Sequence, residues 1–406
     1  MGSIGIGLNS VLCVVVTVNF MLLHDPRSFR RLVLRPDGGT SRADGRADPR
    51  PSGNMNSGRR TKYLLAWEPM PETIWQRLFW ILDLITSIRG VHWSWSSAAS
   101  PACDPDLGKS CSNRTASIAR NVSRFLVDYF LIDLIKCVMI ADPYFVGYPT
   151  HGPPPHLSRY ITSSLGLYTY RLLLGTAGMY TAVDLIFASA VLLQVNILGP
   201  GMLGLNASPL AFPPIWGSPS AVLRKGLRGF WGESWHQFFR KHFVSIGDAV
   251  AEFLPGHNGL GSCGCRWSDN KRQKCLKQSG VRETIRVVTV FVLSGILHAC
   301  ASHTLLGPTR PLATFLFFAL QPVGMAIQSA GSLLFASCYL SRLPGPWTII
   351  MRQGSNAVFT LLWLWGTGGM FFDDMASGGM WLLDPIPISL IRGLGLSKDD
   401  RRLWCW

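Results

Sequence analysis

The chain has 406 residues, of which 48% are hydrophobic and only 15% charged, whereas about 25% of an average soluble domain is charged. Its net charge of +15 would suit nucleic-acid binding, but DNA-binding domains are not interrupted by apolar runs of membrane length. The composition therefore excludes a soluble nucleic-acid-binding domain and predicts an integral membrane protein whose positive charge lies in cytoplasmic loops.

The first apolar segment is Ile4–Leu23. No basic region precedes it and no small-residue cleavage site follows it, so residues 1–23 are expected to form a retained N-terminal transmembrane helix rather than a removed signal peptide. Residues 24–73 are rich in Arg, Gly, Asp, Pro and Ser. They predict a basic, largely disordered cytoplasmic loop.

Further apolar segments follow, separated by polar, basic or Pro-rich loops. They cover residues 74–88, 125–141, 161–198, 284–301, 312–340 and 358–372, with a weaker stretch at 380–391. The segment 161–198 is long enough for two passes, or for one tilted helix and a re-entrant piece. Together these segments predict an all-α, polytopic membrane protein with about eight transmembrane helices. The sequence shows no internal repeat of the kind found in transporters with related halves.

Two sequons lie near the third apolar segment, Asn113-Arg114-Thr115 in a polar loop and Asn121-Val122-Ser123 beside the predicted helix. If the preceding basic loop is cytoplasmic, this loop is lumenal. Asn113 and Asn121 are then candidate acceptors for N-glycosylation, the second of them close to the membrane.

The ten cysteines are scattered along the chain, which argues against a disulfide scaffold. Cys103 and Cys111 share one loop and can pair if that loop is lumenal. Cys263, Cys265 and Cys275 form a Cys-rich insert, but their spacing fits no usual pattern of paired zinc ligands. No metal site is predicted.

One histidine, His298, stands inside the apolar segment 284–301. An ionisable side chain at membrane depth is costly, so it usually faces a cavity or a partner. Two interpretations remain open at this point. Either His298 is a neutral side chain hydrogen-bonded between packed helices, or it performs acid–base chemistry on a lipid-embedded substrate.

A second histidine, His236, lies in an aromatic and basic cluster at residues 230–241. On a helix, His236 and Arg240 would share one face with large aromatic side chains. Such a face suits an anionic, partly planar ligand, because arginine binds phosphate through two parallel hydrogen bonds. The alternative is an interfacial helix whose basic side chains reach for the headgroups.

The sequence contains neither an HExxH zinc helix nor a GxSxG nucleophile motif. No cysteine stands in a recognisable nucleophile context. A covalent hydrolase therefore has little support, and a general base that acts directly on bound substrates is favoured.

Residues 228–240, followed about 60 residues later by residues 291–298, resemble the wax synthase branch of the membrane-bound O-acyltransferases. Within that branch, the chain is most similar to fungal acetyltransferases that modify terpenoids and meroterpenoids. The mild departures are His92, where a small residue is commoner, and Glu233-Ser234, where a more basic pair is usual; the Cys-rich insert is not a feature of the family. Further matches lie at residues 89–95, 142–144, 213–218 and 317–324.

The resemblance implies an acyltransferase domain at residues 74–406, with a helical bundle that encloses a catalytic tunnel in the endoplasmic reticulum membrane. It implies that His298 is the base and that His236 takes the place of an asparagine found in sterol and diacylglycerol acyltransferases, as oxyanion donor or thioester-orienting group. Acetyl-CoA or another acyl-CoA is then the co-substrate, a hydrophobic alcohol the acceptor, and no cofactor is bound. The residues assigned to substrate and CoA binding are Trp231, Trp235, Gln237, Arg240 and Lys241, the last two facing the CoA phosphates.

Three other functions compete with this interpretation. A wax ester synthase would join a fatty acyl group to a long-chain alcohol at the same site. A polytopic transporter is disfavoured by the missing repeat and by the few intramembrane charges. A non-catalytic membrane scaffold predicts that substitution of His298 has no effect.

Overall fold

Helices form most of the chain in the computed structural model, which describes residues 3–36, 63–95, 114–154, 157–208, 211–253, 269–338, 345–383 and 385–395. The strands are β1 (Arg31–Pro36) and β2 (Tyr63–Glu68). The helices are α1 (Ser3–Thr17), α2 (Ile74–Thr86), α3 (Arg114–Ile140), α4 (Ser164–Val191), α5 (Gly199–Leu203), α6 (Ser220–Lys225), α7 (Leu227–Gly229), α8 (Arg240–Phe253), α9 (Asp269–His303), α10 (Pro311–Ala319), α11 (Gln321–Cys338), α12 (Gly345–Ser377) and α13 (Leu390–Gly393). The largely helical architecture predicted from the sequence is confirmed.

The described chain divides into two compact units, the larger of which comprises residues 1–24, 119–190 and 214–406. In this unit α9 packs against α1, α8 and α10. Its main core is built from large apolar side chains that include Met139, Phe145, Leu227, Met375 and Trp381. Because α9 carries His298 and lies among three neighbours, this unit positions the candidate base.

The N-terminal helix is part of the larger unit. Gly7 lies against α9, where its N–H donates to Thr304 Oγ1 over 3.3 Å and a Cβ would overlap the Cys300 carbonyl. At the other end Asn19 is 2% exposed, and its Nδ2 donates to the His242 carbonyl of α8 over 3.1 Å. Residues 3–23 therefore pack onto α9, which carries His298, and onto α8, which follows the segment that carries His236.

Within the described ranges, four segments are helical, long and apolar enough to cross a bilayer. They are Ile4–Leu23, Ser164–Ala207, Gly280–His303 and Pro311–Leu334. The expected number of about eight is not confirmed. The segment 161–198 forms one continuous helix, α4, extended by a π-helical turn at Leu192–Leu198, so the prediction of two passes there does not apply.

Of the other predicted spans, 358–372 lies within the 33-residue α12, whereas the remaining three differ from membrane helices in length or in charge. Helix α2 has 13 residues, which corresponds to about 20 Å, whereas a bilayer core is about 30 Å thick. The weak stretch at 380–391 forms only a short turn at Met380–Leu382 and the four-residue α13. Helix α3 has 27 residues but carries several charges, and it already begins at Arg114, so Asn121 lies inside it. Asn113 and the Cys-rich insert at 263–275 lie outside the residues whose side chains the structure describes.

The second unit comprises residues 25–118 and 191–213. Its strands β1 and β2 pair antiparallel, with Arg31 opposite Glu68. The Arg31 guanidinium bridges Glu68 at 2.7 Å and Asp83 at 3.2 Å. The two ends of the segment 24–73, expected to be largely disordered, thus form a two-stranded sheet, which also corrects the all-α expectation.

His92 in the second unit has a left-handed backbone, with φ of 67°. Residues other than glycine rarely adopt this conformation, although histidine, like asparagine and aspartate, adopts it more often than most.

Candidate active site

The chain changes direction immediately before His236. Helix α7 runs into the π-helical turn Phe230–Ser234, which the Trp235 N–H closes on the Phe230 carbonyl at 2.8 Å. Trp235 is extended, with φ of −73° and ψ of 156°, and the next helix begins only at Arg240. His236 therefore lies in an irregular segment, and the expectation that His236 and Arg240 share a helix face is wrong.

Gln237 and Arg240 hold this irregular segment together. The Gln237 amide nitrogen donates to the carbonyls of Trp231 at 3.1 Å and Trp235 at 2.6 Å. One nitrogen of the exposed Arg240 guanidinium donates to the Gly232 carbonyl at 2.7 Å and to Gln237 Oε1 at 3.3 Å. The sequence assigns both residues to substrate or CoA binding. In the structure both donate to backbone carbonyls that would otherwise lack helical partners.

Trp231 forms an aromatic wall on the side of α9 and α10. Its Nε1 donates to Oε1 of the fully buried Gln321 at 3.1 Å. Its ring meets Phe291, Phe317 and Phe318 with centroid separations of 5.8, 6.2 and 5.9 Å. Because its only polar atom is satisfied, the indole presents apolar surface to its surroundings.

His298 is held in one tautomer and one orientation. Its Nδ1 lies 2.8 Å from the Ser294 carbonyl oxygen, and a carbonyl can only accept a hydrogen bond, so the network assigns the proton to Nδ1. The ring stacks on Phe318 at 4.2 Å and meets Phe371 edge-on at 6.1 Å. The side chain keeps accessible surface, and its Nε2 carries the free lone pair that a general base requires.

His236 is enclosed by aromatic rings. Trp235, Phe238 and Trp216 lie 5.5, 5.4 and 6.1 Å from its ring centroid. Its Nδ1 is buried and meets no hydrogen-bond partner among the described residues. Burial lowers the pKa of His236 to about 4, and a charge on His298 contributes to the same shift. His236 is therefore neutral at physiological pH, and its Nδ1 forms no hydrogen bond with any described residue.

The two imidazoles, distant in sequence, are joined by a series of rings. His298 stacks on Phe318, Phe318 meets Trp231, Trp231 meets Trp235 at 6.2 Å, and Trp235 meets His236. The histidines are also close enough to interact electrostatically. The arrangement places both imidazoles in one aromatic environment.

Lys241 has different surroundings. It lines a cavity of about 800 Å³ whose wall includes neither His236 nor His298. The wall also contains Asp248 and Glu252, and carboxylates disfavour a phosphate. The remaining lining residues are Leu22, Leu23, His24, Val244, Ser245, Ala249 and Phe253.

A buried carboxylate fixes the helix of His298 one turn beyond it. Asp374 is 3% exposed and accepts from Ser302 Oγ at 2.6 Å, from Thr314 Oγ1 and from the Arg310 N–H. These groups belong to α9, α10 and the segment before α10, whereas Asp374 belongs to α12. Asp374 therefore ties together the three helices around the candidate base.

Two residues of this region, Trp216 and Asp184, receive no role from the sequence alone. Trp216 Nε1 donates to Asp184 Oδ1 at 2.9 Å. The available signal was that Asp184 is a lone carboxylate in a nearly uncharged apolar stretch, where an ionisable residue needs a partner.

Residues 212–320 match the model of the membrane bound O-acyl transferase family. An O-mevalon transferase of Penicillium terrestre is 24% identical over 298 residues, which are 71% of this chain and 60% of the relative. An O-mevalon transferase of Aspergillus niger is 27% identical over 287 residues, 66% of this chain and 55% of the relative. An acetyltransferase of Aspergillus fumigatus is 23% identical over 291 residues, which are 69% of this chain and 43% of the relative.

The chain thus spans about half the length of the curated relatives it matches. No solved structure matches it. The matched region contains His236, the aromatic wall and His298. The resemblance predicted from the sequence is therefore confirmed, and residues 212–320 carry the sequence pattern of the membrane bound O-acyl transferase family.

Proposed function

We propose that the chain transfers an acyl group, most simply acetyl, from acyl-CoA to a hydroxyl group of a hydrophobic secondary metabolite of the terpenoid or meroterpenoid class. The family match and the names of the fungal relatives support acyl transfer. The apolar helices support a substrate that reaches the site from the lipid. The proposal also locates the protein in the endoplasmic reticulum membrane and the site in a tunnel through the helical bundle.

The observation that carries the proposal is the free Nε2 of His298, whose Nδ1 is held by Ser294. Nε2 removes the proton from the acceptor hydroxyl while the hydroxyl oxygen attacks the thioester carbonyl carbon. The tetrahedral intermediate then expels the CoA thiolate, which takes the proton back from His298 and leaves as CoA. A thiol with a pKa of about 8.5 is a much better leaving group than an alkoxide, so no covalent acyl-enzyme is needed.

His236 acts at the carbonyl oxygen in this mechanism. A neutral imidazole carries one N–H, and its environment contains no competing charged donor among the described ring neighbours. That N–H donates to the negative charge that develops on the thioester oxygen. A donor of this kind typically contributes about 10²–10³ in rate.

The aromatic and basic residues of the site have separate roles in substrate binding. Trp231 and Trp235 line the site with apolar surface, which excludes water and strengthens electrostatic interactions there. Arg240 and Lys241 are assigned to the CoA phosphates. Of these, Arg240 fits better, because its guanidinium is exposed at the end of the segment that carries His236.

Purified enzyme in lipid nanodiscs tests the function. Acetyl-CoA and palmitoyl-CoA are each offered with a panel of terpenoid alcohols and with hexadecanol, and esters and free CoA are measured by mass spectrometry. We expect an acetyl ester of a terpenoid alcohol, with none formed by His298→Ala. Equal ester formation by His298→Ala would overturn the assignment. Ester formation from palmitoyl-CoA and hexadecanol alone would identify a wax ester synthase instead.

A further inference from the structure

Asp184 is a buried carboxylate in an otherwise apolar part of α4, and it is 8% exposed. Arg124 of α3 binds it through two nitrogens, one of them Nε at 3.2 Å. The Trp216 indole N–H donates to the same carboxylate at 2.9 Å. A charge in such surroundings is costly unless it is paired, so this arrangement has a defined geometry that no flexible surface pair would have.

Trp216 is held by contacts with three rings and by this hydrogen bond. One face stacks on Tyr180 at 4.2 Å and 21°, one turn before Asp184 on the same helix. Its other neighbours are Trp235 at 5.1 Å and His236 at 6.1 Å. The orientation of the indole is thus fixed by α4, and the indole in turn limits where the His236 ring can lie.

The backbone on either side of these rings is joined as well. The Gly217 N–H donates to the Ser234 carbonyl at 3.0 Å, and Ser234 Oγ donates to the Ser218 carbonyl at 2.9 Å. A Cβ at Gly217 would overlap the Glu233 carbonyl, so only glycine allows this approach. Trp216 and His236 therefore come from two segments that are pinned together.

The Arg124–Asp184 pair is also connected to His236 through a second series of contacts. The Arg124 guanidinium lies 5.5 Å over the Phe187 ring. Phe187 packs on Phe238 at 6.2 Å, and Phe238 lies 5.4 Å from His236. Two series of contacts thus run from the Arg124–Asp184 ion pair to the His236 imidazole.

We propose that Asp184 and Trp216 are positioning residues for His236, a role that builds on the proposed function of that histidine. Nδ1 of His236 meets no hydrogen-bond partner among the described residues, so packing sets the orientation of the ring. Trp216 is the packing partner that is itself locked, through its N–H, to a buried carboxylate. The pair thereby holds the imidazole N–H toward the reacting carbonyl oxygen.

The first test removes the indole N–H and keeps an aromatic ring, in Trp216→Phe. We expect kcat per folded molecule to fall about 10-fold while KM for acetyl-CoA stays within about twofold, because misorientation affects the transition state more than binding. Asp184→Asn should have the same signature. The matched control is Trp365→Phe. This change removes an indole hydrogen bond of 3.0 Å to Thr169, which lies on α4 as Asp184 does, and it should leave both constants unchanged. An unchanged kcat in Trp216→Phe overturns the proposal.

A double-mutant cycle separates positioning from general packing. In an enzyme with His236→Asn, the further change Trp216→Phe should lower kcat by less than about twofold, because the group it positions is gone. An undiminished 10-fold loss in that background would assign Trp216 a merely structural role.

A readout without catalysis keeps this proposal separate from the proposed function. Diethyl pyrocarbonate modifies accessible imidazoles, and peptide mass spectrometry reports the rate at each histidine. Trp216→Phe should speed the modification of His236 at least about threefold while leaving the exposed His24 unchanged. If the wild-type enzyme transfers no acyl group, the proposed function fails, and this measurement still decides the positioning role. An unchanged rate at His236 would overturn it.

Discussion

Nδ1 of His298 donates to the carbonyl oxygen of Ser294, 2.8 Å away and one turn earlier in the same helix. Since this bond occupies one nitrogen and fixes the tautomer, the lone pair of Nε2 is the available base. The proposed catalytic role of His298 therefore depends on Nε2 alone.

His298→Asn tests that nitrogen. The asparagine amide can still donate to the Ser294 carbonyl, but it has no basic nitrogen, so we expect kcat to fall about 10²–10⁴-fold. The protein should remain folded, as judged by its melting temperature and by gel filtration in detergent. His303→Ala, at the exposed end of the same helix, is the control and should retain full activity. Substantial activity in His298→Asn would show that the residue is structural.

His236 should make folding pH-dependent. Its pKa is about 4 in the folded protein and about 6.5 when unfolded, so between these values the unfolded state binds a proton that the folded state excludes. The free energy of unfolding therefore falls as pH falls from 6.5 toward 4, by up to about 3 kcal/mol. Melting temperatures of wild type and His236→Gln, measured from pH 7 to 4.5, should converge as pH falls. A constant difference would show that the imidazole is not kept neutral by burial.

The contact between α1 and α9 should be intolerant of side chains at Gly7. A Cβ there would overlap the Cys300 carbonyl, so Gly7→Leu should destabilise the protein by about 1–3 kcal/mol. The matched control is Gly5→Leu on the same helix, where no atom lies within 4 Å of the added Cβ. Thermal unfolding in detergent, with kcat per folded molecule, reports both effects. Equal melting temperatures for the two variants would argue that α1 is not packed as described.

Asp374 should be needed for stability rather than for chemistry. Asp374→Ala leaves Ser302, Thr314 and the Arg310 N–H without their acceptor, which should cost about 2–4 kcal/mol. Glu252→Gln removes a charge from an exposed pair with Arg282 and should cost less than about 1 kcal/mol. The comparison is made by thermal unfolding. A loss no larger in Asp374→Ala than in the control would contradict the network.

Local chemistry made parts of the site predictable from the sequence. His298 was recognisable because an imidazole in an apolar run is costly, and the aromatic cluster around His236 was recognisable by composition. The helix expected around His236 was wrong, because the π-helical turn depends on Gln237, whose side chain satisfies the carbonyls of Trp231 and Trp235. Periodicity cannot reveal such a side-chain bond.

Features that depend on long-range contacts could not be predicted from the sequence. Trp216 and Asp184 are more than 30 positions apart, and nothing in either segment alone indicates their hydrogen bond. The expected number of about eight spans is not confirmed for the described residues, because apolar composition does not specify helix length: α2 ends after 13 residues. The strands β1 and β2 lie at the two ends of a polar segment whose composition predicted disorder, and composition reveals neither their pairing nor the bridge from Arg31 to Asp83.

The close approach at Gly7 and the buried amide of Asn19 have a practical corollary for anyone who engineers this protein. A generic hydrophobic leader would restore lipid insertion but would bring branched side chains against α9 and leave the His242 carbonyl without its amide donor. Chimeras that exchange residues 1–23 for a foreign anchor should therefore be built to retain a glycine and an asparagine at these two positions.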